Sequence, residues 1–175
     1  MNVFSRFALG AALLGGVWLV RSGRLNVKAL VVEQMFEKPA RKRRYAELAD
    51  DLQVSGERVK LRLERARGSE AGAETLRHII GIERWGQRRL RVAQGEPFAP
   101  DGHQPYKPPH DASWEDLKAA FLATRAETVA LARALSDAPP PQDWRVAHNG
   151  FGPLSARAWL RYLRTHAELE SRRIR

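Results

Sequence analysis

His166 and Glu170 lie four residues apart within Trp159–Ile174, and their spacing is the first sign of chemistry in this chain. Stepped at about 100° per residue, Trp159, Leu163, His166 and Glu170 share an arc of about 60°, the apolar face of an amphipathic helix. A histidine and a carboxylate on a face meant for burial are costly unless paired, hydrogen-bonded or bound to a metal. The i, i+4 spacing stacks them on neighbouring turns, where both can converge on one atom. Two readings follow. The pair closes on itself as an internal His166 to Glu170 contact, or it supplies two ligands to a metal site that another element completes.

Four helix-period stretches must position these groups, and no alternating run is long enough to propose a sheet. The first, about 45–67, directs Leu48, Leu52, Val59 and Leu63 to a core and ends at Gly68-Ser69. The second, about 73–94, is apolar on two faces, Leu76, Ile79, Ile80 and Leu90 on one and Ile82 and Trp85 on the other, as in a bundle helix with two neighbours. His78 lies at that seam, as a satisfied core residue or a ligand. Glu83 also faces inward, where it could orient His78 or a metal. Between the second and third helices, 95–111 is a long Pro-rich crossover whose His103 and His110 read as solvated loop residues. Ser113 caps the third helix, with Glu115 and Asp116 in its first turn. The motif His148-Asn149-Gly150-Phe151-Gly152-Pro153 makes tight turns before Ser155 caps the fourth helix. The fold expected is an all-α, up-down four-helix bundle over 45–175 with a long crossover loop.

Upstream, residues 3–20 are apolar or Gly apart from Ser5 and Arg6, about the length of a single membrane helix. A cleaved signal peptide competes, but no small-x-small site follows the run. The expected organisation is a membrane helix at 1–22, a juxtamembrane basic segment at 23–44, and the bundle. Arg21, Arg24 and Lys28 follow the uninterrupted apolar run 7–20 while only Arg6 precedes it, so the bundle is expected on the cytoplasmic side of the cell membrane. Leu25, Ala29, Val32 and Phe36 form one side of an interfacial or docking helix. Five cations within the seven residues 38–44 would meet anionic lipid, or form a solvated linker. Met35 is an alternative start that would leave a chain without the span.

The 175 residues suit one domain with an appendage, and 43% hydrophobic residues suffice for a core. A net charge of +10 admits nucleic acid as a partner, yet no helix-turn-helix spacing or aromatic-interleaved basic patch supports that role. Cysteine is absent, which excludes disulfides and thiolate ligands. Any metal site must use His, Asp and Glu.

The run Leu76–Trp85, the Pro-rich crossover, the His148–Gly152 turn and Trp159 followed by His166 resemble, in order and spacing, the DinB-like superfamily. These are DNA-damage-inducible and thiol-transferase-related four-helix bundles, and the resemblance spans about residues 45–175. It implies a divalent metal held by one histidine of the second helix and two of a His-x-x-x-His pair on the fourth. His78 and His166 match the first two positions, while Glu170 departs from the third. Two His and one Glu suit zinc with an open position, and nickel or iron accept similar donors. The functional expectation is a membrane-anchored, metal-dependent transferase or hydrolase acting with a low-molecular-weight thiol or activated water. His78, His166 and Glu170 would be its ligands, supported by Glu83 and His148, and a homodimer is compatible with the family. The alternative is a non-catalytic, membrane-tethered bundle with a structural His-Glu pair and no metal.

Overall fold

A computed structural model describes residues 27–175 of the chain. The span expected at 3–20 therefore lies outside the described residues, and among those described no helix is long and apolar enough to cross a membrane. Helix α1 (Val27–Val32) passes through a π-helical turn (Glu33–Glu37) into α2 (Lys38–Arg41). Val32, Phe36 and Ala40 recur every four residues and are buried against the bundle. Beside them, the buried Glu37 carboxylate accepts hydrogen bonds from the Ser155 amide at 2.8 Å and its hydroxyl at 2.9 Å. Arg161 donates to the Met35 carbonyl at 2.7 Å, inside the π turn. The basic residues Lys38 and Arg41 to Arg44 remain exposed at the outer end of this segment.

Four longer helices follow: α3 (Tyr45–Arg65), α4 (Glu70–Arg91), α5 (Trp114–Asp137) and α6 (Ala156–Ser171). The architecture is an all-α bundle. Its starts are chemically marked, because Ser69, Ser113 and Ser155 each accept from an amide three residues on, satisfying a donor the helix leaves free. Asp116 returns the bond to Ser113 and completes a capping box. The extensive helix contacts join α3 and α4 each to α5 and α6, so the consecutive helices α3 and α4 face one another across the bundle. The turn between them needs Gly68, at φ +68°, because a side chain there would press into the Trp114 ring.

One expectation is corrected. Val146–His148 (β1) and Gly152–Leu154 (β2) form an antiparallel hairpin, with Val146 opposite Leu154 and His148 opposite Gly152. Three-residue strands are too short to show period-two alternation in sequence. The hairpin directs Val146 and His148 inward and leaves Ala147 exposed.

The apolar core has two parts. One gathers Phe36, Leu52, Trp85, Leu135, Phe151 and Trp159, the other Val59, Leu63, Leu76, Ile80, Phe121 and Ala167. On each long helix a buried polar group or glycine stands between its contributions to the two: Ser55 and Gly56 on α3, Gly81 on α4, Thr124 and Arg125 on α5, His166 on α6. Gly86 lets α4 and α6 approach closely, since a Cβ there would lie 2.5 Å from Leu163 Cδ2.

Candidate functional site

Where α4 and α6 come together, the Nε2 atoms of His78 and His166 lie 3.2 Å apart. His166 is buried and His78 partly so. Both line a cavity of about 160 Å³ with His103, His148, Asn149, Trp85, Phe151 and Tyr162. The sequence expectation of a solvated His103 is corrected by its position, with its ring centroid 5.0 Å from that of His78 in an edge-on contact. Gly81 permits the approach: a Cβ at 81 would lie 3.2 Å from the His103 carbonyl oxygen and 2.8 Å from Lys107 Cγ. His110 stays exposed.

The crossover carrying His103 is tied down from several sides. Trp85 Nε1, Arg89 Nη2 and Asn149 Nδ2 all donate to the Asp101 carbonyl, at 3.2, 2.8 and 3.0 Å. Arg89 is itself buried and pairs with the Asp101 carboxylate at 3.0 Å. One backbone oxygen thus joins α4, the crossover and the hairpin turn at the cavity's edge.

Electrostatics keep the histidines neutral. Burial pushes His78 down to about 4, helped by the mutual repulsion that protonating both it and His103 would bring and by the Lys107 charge, and opposed by Glu170 and Glu74. Burial lowers His166 well below the ordinary range, with His78 and His103 adding to it. Burial is the main cause that takes His148 down to about 3, opposed by a hydrogen bond with its own backbone and helped by Arg89 and Lys28. His103 moves the same way, through burial and Lys107. Desolvation disfavours the charged form of each, so their ring lone pairs remain available near neutral pH.

The remaining expected site residues are placed differently. Glu170 sits in the last turn of α6, and its carboxylate accepts from Arg173 Nη1 at 2.8 Å. Its negative charge is nevertheless felt at His78 and Tyr162. Glu83 accepts from Arg125 Nη2 and Thr128 Oγ1, each at 2.8 Å, on the face of α4 turned toward α5. Five residues along a helix amount to about 140° of rotation, which separates Glu83 from His78. Among the described residues, no three His, Asp or Glu side chains converge as a ligand group.

His148 occupies the end of β1, with its Nδ1 accepting from the Gly150 and Phe151 amides at 3.0 and 3.1 Å. Sequence reasoning singled out this turn, but not the packing of the His148 ring against Trp85, Trp159 and Tyr162. Arg125 is buried in the core and was not singled out from the sequence, since an arginine within a helix ordinarily reads as a surface residue.

The family model described as the DinB superfamily matches residues 27–169. Those limits take in α1 and α2 as well as the bundle. No curated protein and no solved structure matches the chain significantly.

Proposed function

Since the chain belongs to the DinB superfamily, we propose that it binds one divalent ion, zinc, nickel or iron, between His78 and His166. On this reading it acts on a small molecule in the adjoining cavity as a metal-dependent transferase or hydrolase. The 3.2 Å separation of the two Nε2 atoms is the supporting observation. Two nitrogens each about 2.1 Å from one ion and 3.2 Å from one another subtend about 100° at it. That angle lies between the corners of an octahedron and a tetrahedron. Neutral imidazoles are also the protonation state a metal requires.

The donor set fits at two positions, and the third is not assembled. Glu170 would complete it by exchanging Arg173 for the ion, one turn beyond His166. A metal held there lowers the pKa of a bound water or thiol and so provides a nucleophile at neutral pH. The protein's own part is to hold the two imidazoles at fixed separation, through the close contact at Gly86, and to wall the cavity with Trp85, Phe151 and Tyr162. The apolar stretch 3–20 would tether this bundle to the membrane with its basic segment against anionic lipid.

A metal-free reading is favoured by the Glu170 to Arg173 bond. In it His78 and His166 hydrogen-bond to each other, one donating and one accepting. Elemental analysis of the full chain, purified without a His tag or chelator, separates the two. About one divalent ion per chain is expected, and His166→Ala should lose it. A wild type that stays empty after incubation with zinc, nickel and iron(II), or equal content in both proteins, overturns the metal reading.

A further inference from the structure

A second feature of the cavity specifies its occupant more closely than the histidine pair does. His148 is 7% exposed and lines the cavity beside Asn149 and Phe151. Its Nδ1 accepts from two backbone amides, and an accepting ring nitrogen carries no proton. In a neutral imidazole the proton must then sit on the other nitrogen. Burial keeps the ring neutral, so Nε2 is an N–H donor. That donor is buried and has no hydrogen-bond partner among the described residues.

Folded proteins rarely leave a buried donor unmet, and an exception calls for a reason. The ring has little freedom to find another partner, because Trp85, Phe151, Trp159 and Tyr162 surround it at centroid distances between 4.6 and 5.1 Å. Its surroundings are electropositive, with Arg89 and Lys28 acting on it. A ligand contributing a negative oxygen suits both the donor and the field. The cavity, about 160 Å³, is close to the roughly 150 Å³ apolar cavity that accommodates benzene in another protein, and its Trp85, Phe151 and Tyr162 walls are flat.

We infer that this cavity takes a compact, flat monocarboxylate about one aromatic ring in size, whose carboxylate accepts a hydrogen bond from His148 Nε2. The inference rests on the reading that the cavity receives a small molecule, and it does not require the metal. His148 is a binding residue on this view, locked in one tautomer by the hairpin turn that carries it. The His148-Asn149-Gly150-Phe151 sequence therefore has a purpose beyond turning the chain: its amides aim a proton at the ligand.

The experiment titrates the full chain with benzoate, and separately with benzylamine, by calorimetry and by the fluorescence of its tryptophans. Benzoate is expected to bind at least about tenfold more tightly than benzylamine, since a charge-assisted bond is gained by one and a donor is opposed by the other. His148→Asn keeps an oxygen near the Nδ1 position for the two amides but offers no donor where Nε2 was. It should weaken benzoate by about tenfold or more. Should that variant fail to fold, the wild-type His148 side-chain N–H, followed by nitrogen-15 NMR, should still shift on adding benzoate.

Each titration is run on chelator-treated and on zinc-loaded protein. Binding that depends on His148 in both states supports the inference, and does so even if the metal proposal fails. Binding that requires zinc and ignores His148 overturns the inference while leaving the metal proposal standing. Equal affinity for benzoate and benzylamine, absence of saturable benzoate binding, or an unmoved His148 N–H also overturns it. In those cases aromatic ring faces alone satisfy the donor.

Discussion

Removing Glu83 should unfold this protein far more readily than removing Arg125, although the two form one ion pair. Glu83 Oε2 and Arg125 Nη2 are 2.8 Å apart, with side chains 2% and 4% exposed. Thr128 donates to the other Glu83 oxygen at 2.8 Å, and Gln87 donates to Thr128 at 2.9 Å. Breaking a buried pair by deleting one partner costs about 3–5 kcal/mol, because a charge is stranded. The two partners differ in how they escape that cost. A guanidinium cannot give up its proton in a protein, whereas burial already pushes the Glu83 carboxyl upward, with Arg125 the main force holding it down. After Arg125→Met the carboxyl can become neutral. After Glu83→Leu the Arg125 cation has no such release.

We therefore expect Glu83→Leu near the upper end of that range and Arg125→Met at or below the lower end. For a domain of this size each kcal/mol moves the midpoint by about 2–4 °C, so Glu83→Leu should lower Tm by roughly 10–20 °C. Methionine retains the side-chain stem that fills the space beside Gly56, where a Cβ would lie 2.8 Å from Arg125 Cγ. In the double variant neither charge is stranded, and the Thr128 hydroxyl can turn its one proton to the Thr124 carbonyl, 3.0 Å away. It should be more stable than Glu83→Leu alone, with a coupling energy of about 2 kcal/mol or more in urea denaturation. Additive single effects, with coupling under about 0.5 kcal/mol, would refute this account. So would Glu83→Leu unfolding like wild type.

Two further outcomes follow from the same geometry. Glu37→Ala should cost about 2–3 kcal/mol in urea denaturation, because it removes a carboxylate accepting from both the Ser155 amide and hydroxyl; a loss below about 0.5 kcal/mol would show that α1 and α2 contribute little to the bundle. His148 titrates near its ordinary value in the unfolded chain and at about 3 when folded, so its contribution is complete above about pH 6.5 and declines by about 1.4 kcal/mol per pH unit as pH falls toward the folded value. His148→Asn lacks that titration, so the stability gap between wild type and variant should narrow by about 2–3 kcal/mol from pH 7.5 to pH 4.5, whereas parallel pH profiles would contradict it.

The helices were legible because their signals are long and redundant. Leu48, Leu52, Val59 and Leu63 on α3, and Leu117, Phe121, Leu131 and Leu135 on α5, are all buried as their spacing implies, and Ser113 and Ser155 cap where expected. His78 and His166 were both assigned to inward faces, and the structure brings them together. Periodicity fails where an element has fewer residues than two periods, as in the hairpin. It is also silent on loops, which is why His103 could not be placed. Gly81 and Gly86 were the available hints, since a glycine within a helix signals that something passes close by. Glu83 was assigned to the wrong neighbour because inward on α4 means two directions, one toward α6 and one toward α5. Stepping five residues from His78 by about 100° each selects the second.

The two polar groups in this core pose the same energetic problem and meet it in opposite ways. Both Glu83 oxygens are met by Arg125 and Thr128 inside the bundle, and Gln87 donates to Thr128 and to the Thr124 carbonyl, although Arg125 Nε is buried with no partner among the described residues. A carboxylate met on both oxygens by its neighbours needs no ligand to explain it. Around the cavity His78 and His166 share one contact between them, His148 Nε2 has no partner among the described residues, and the cavity lies alongside all three. Desolvating three histidines without closing their hydrogen bonds costs stability that apolar side chains of similar size would have spared. Buried polar atoms without partners occur elsewhere too, as at Ser55 Oγ and Arg125 Nε, but where α4, α6, the crossover and the hairpin meet the unmet donor belongs to a residue lining a cavity. A ligand satisfying both Nε2 of the pair and Nε2–H of His148 would recover the lost stability, which is why we propose that binding occurs here and not at the better-buried ion pair of Glu83 and Arg125.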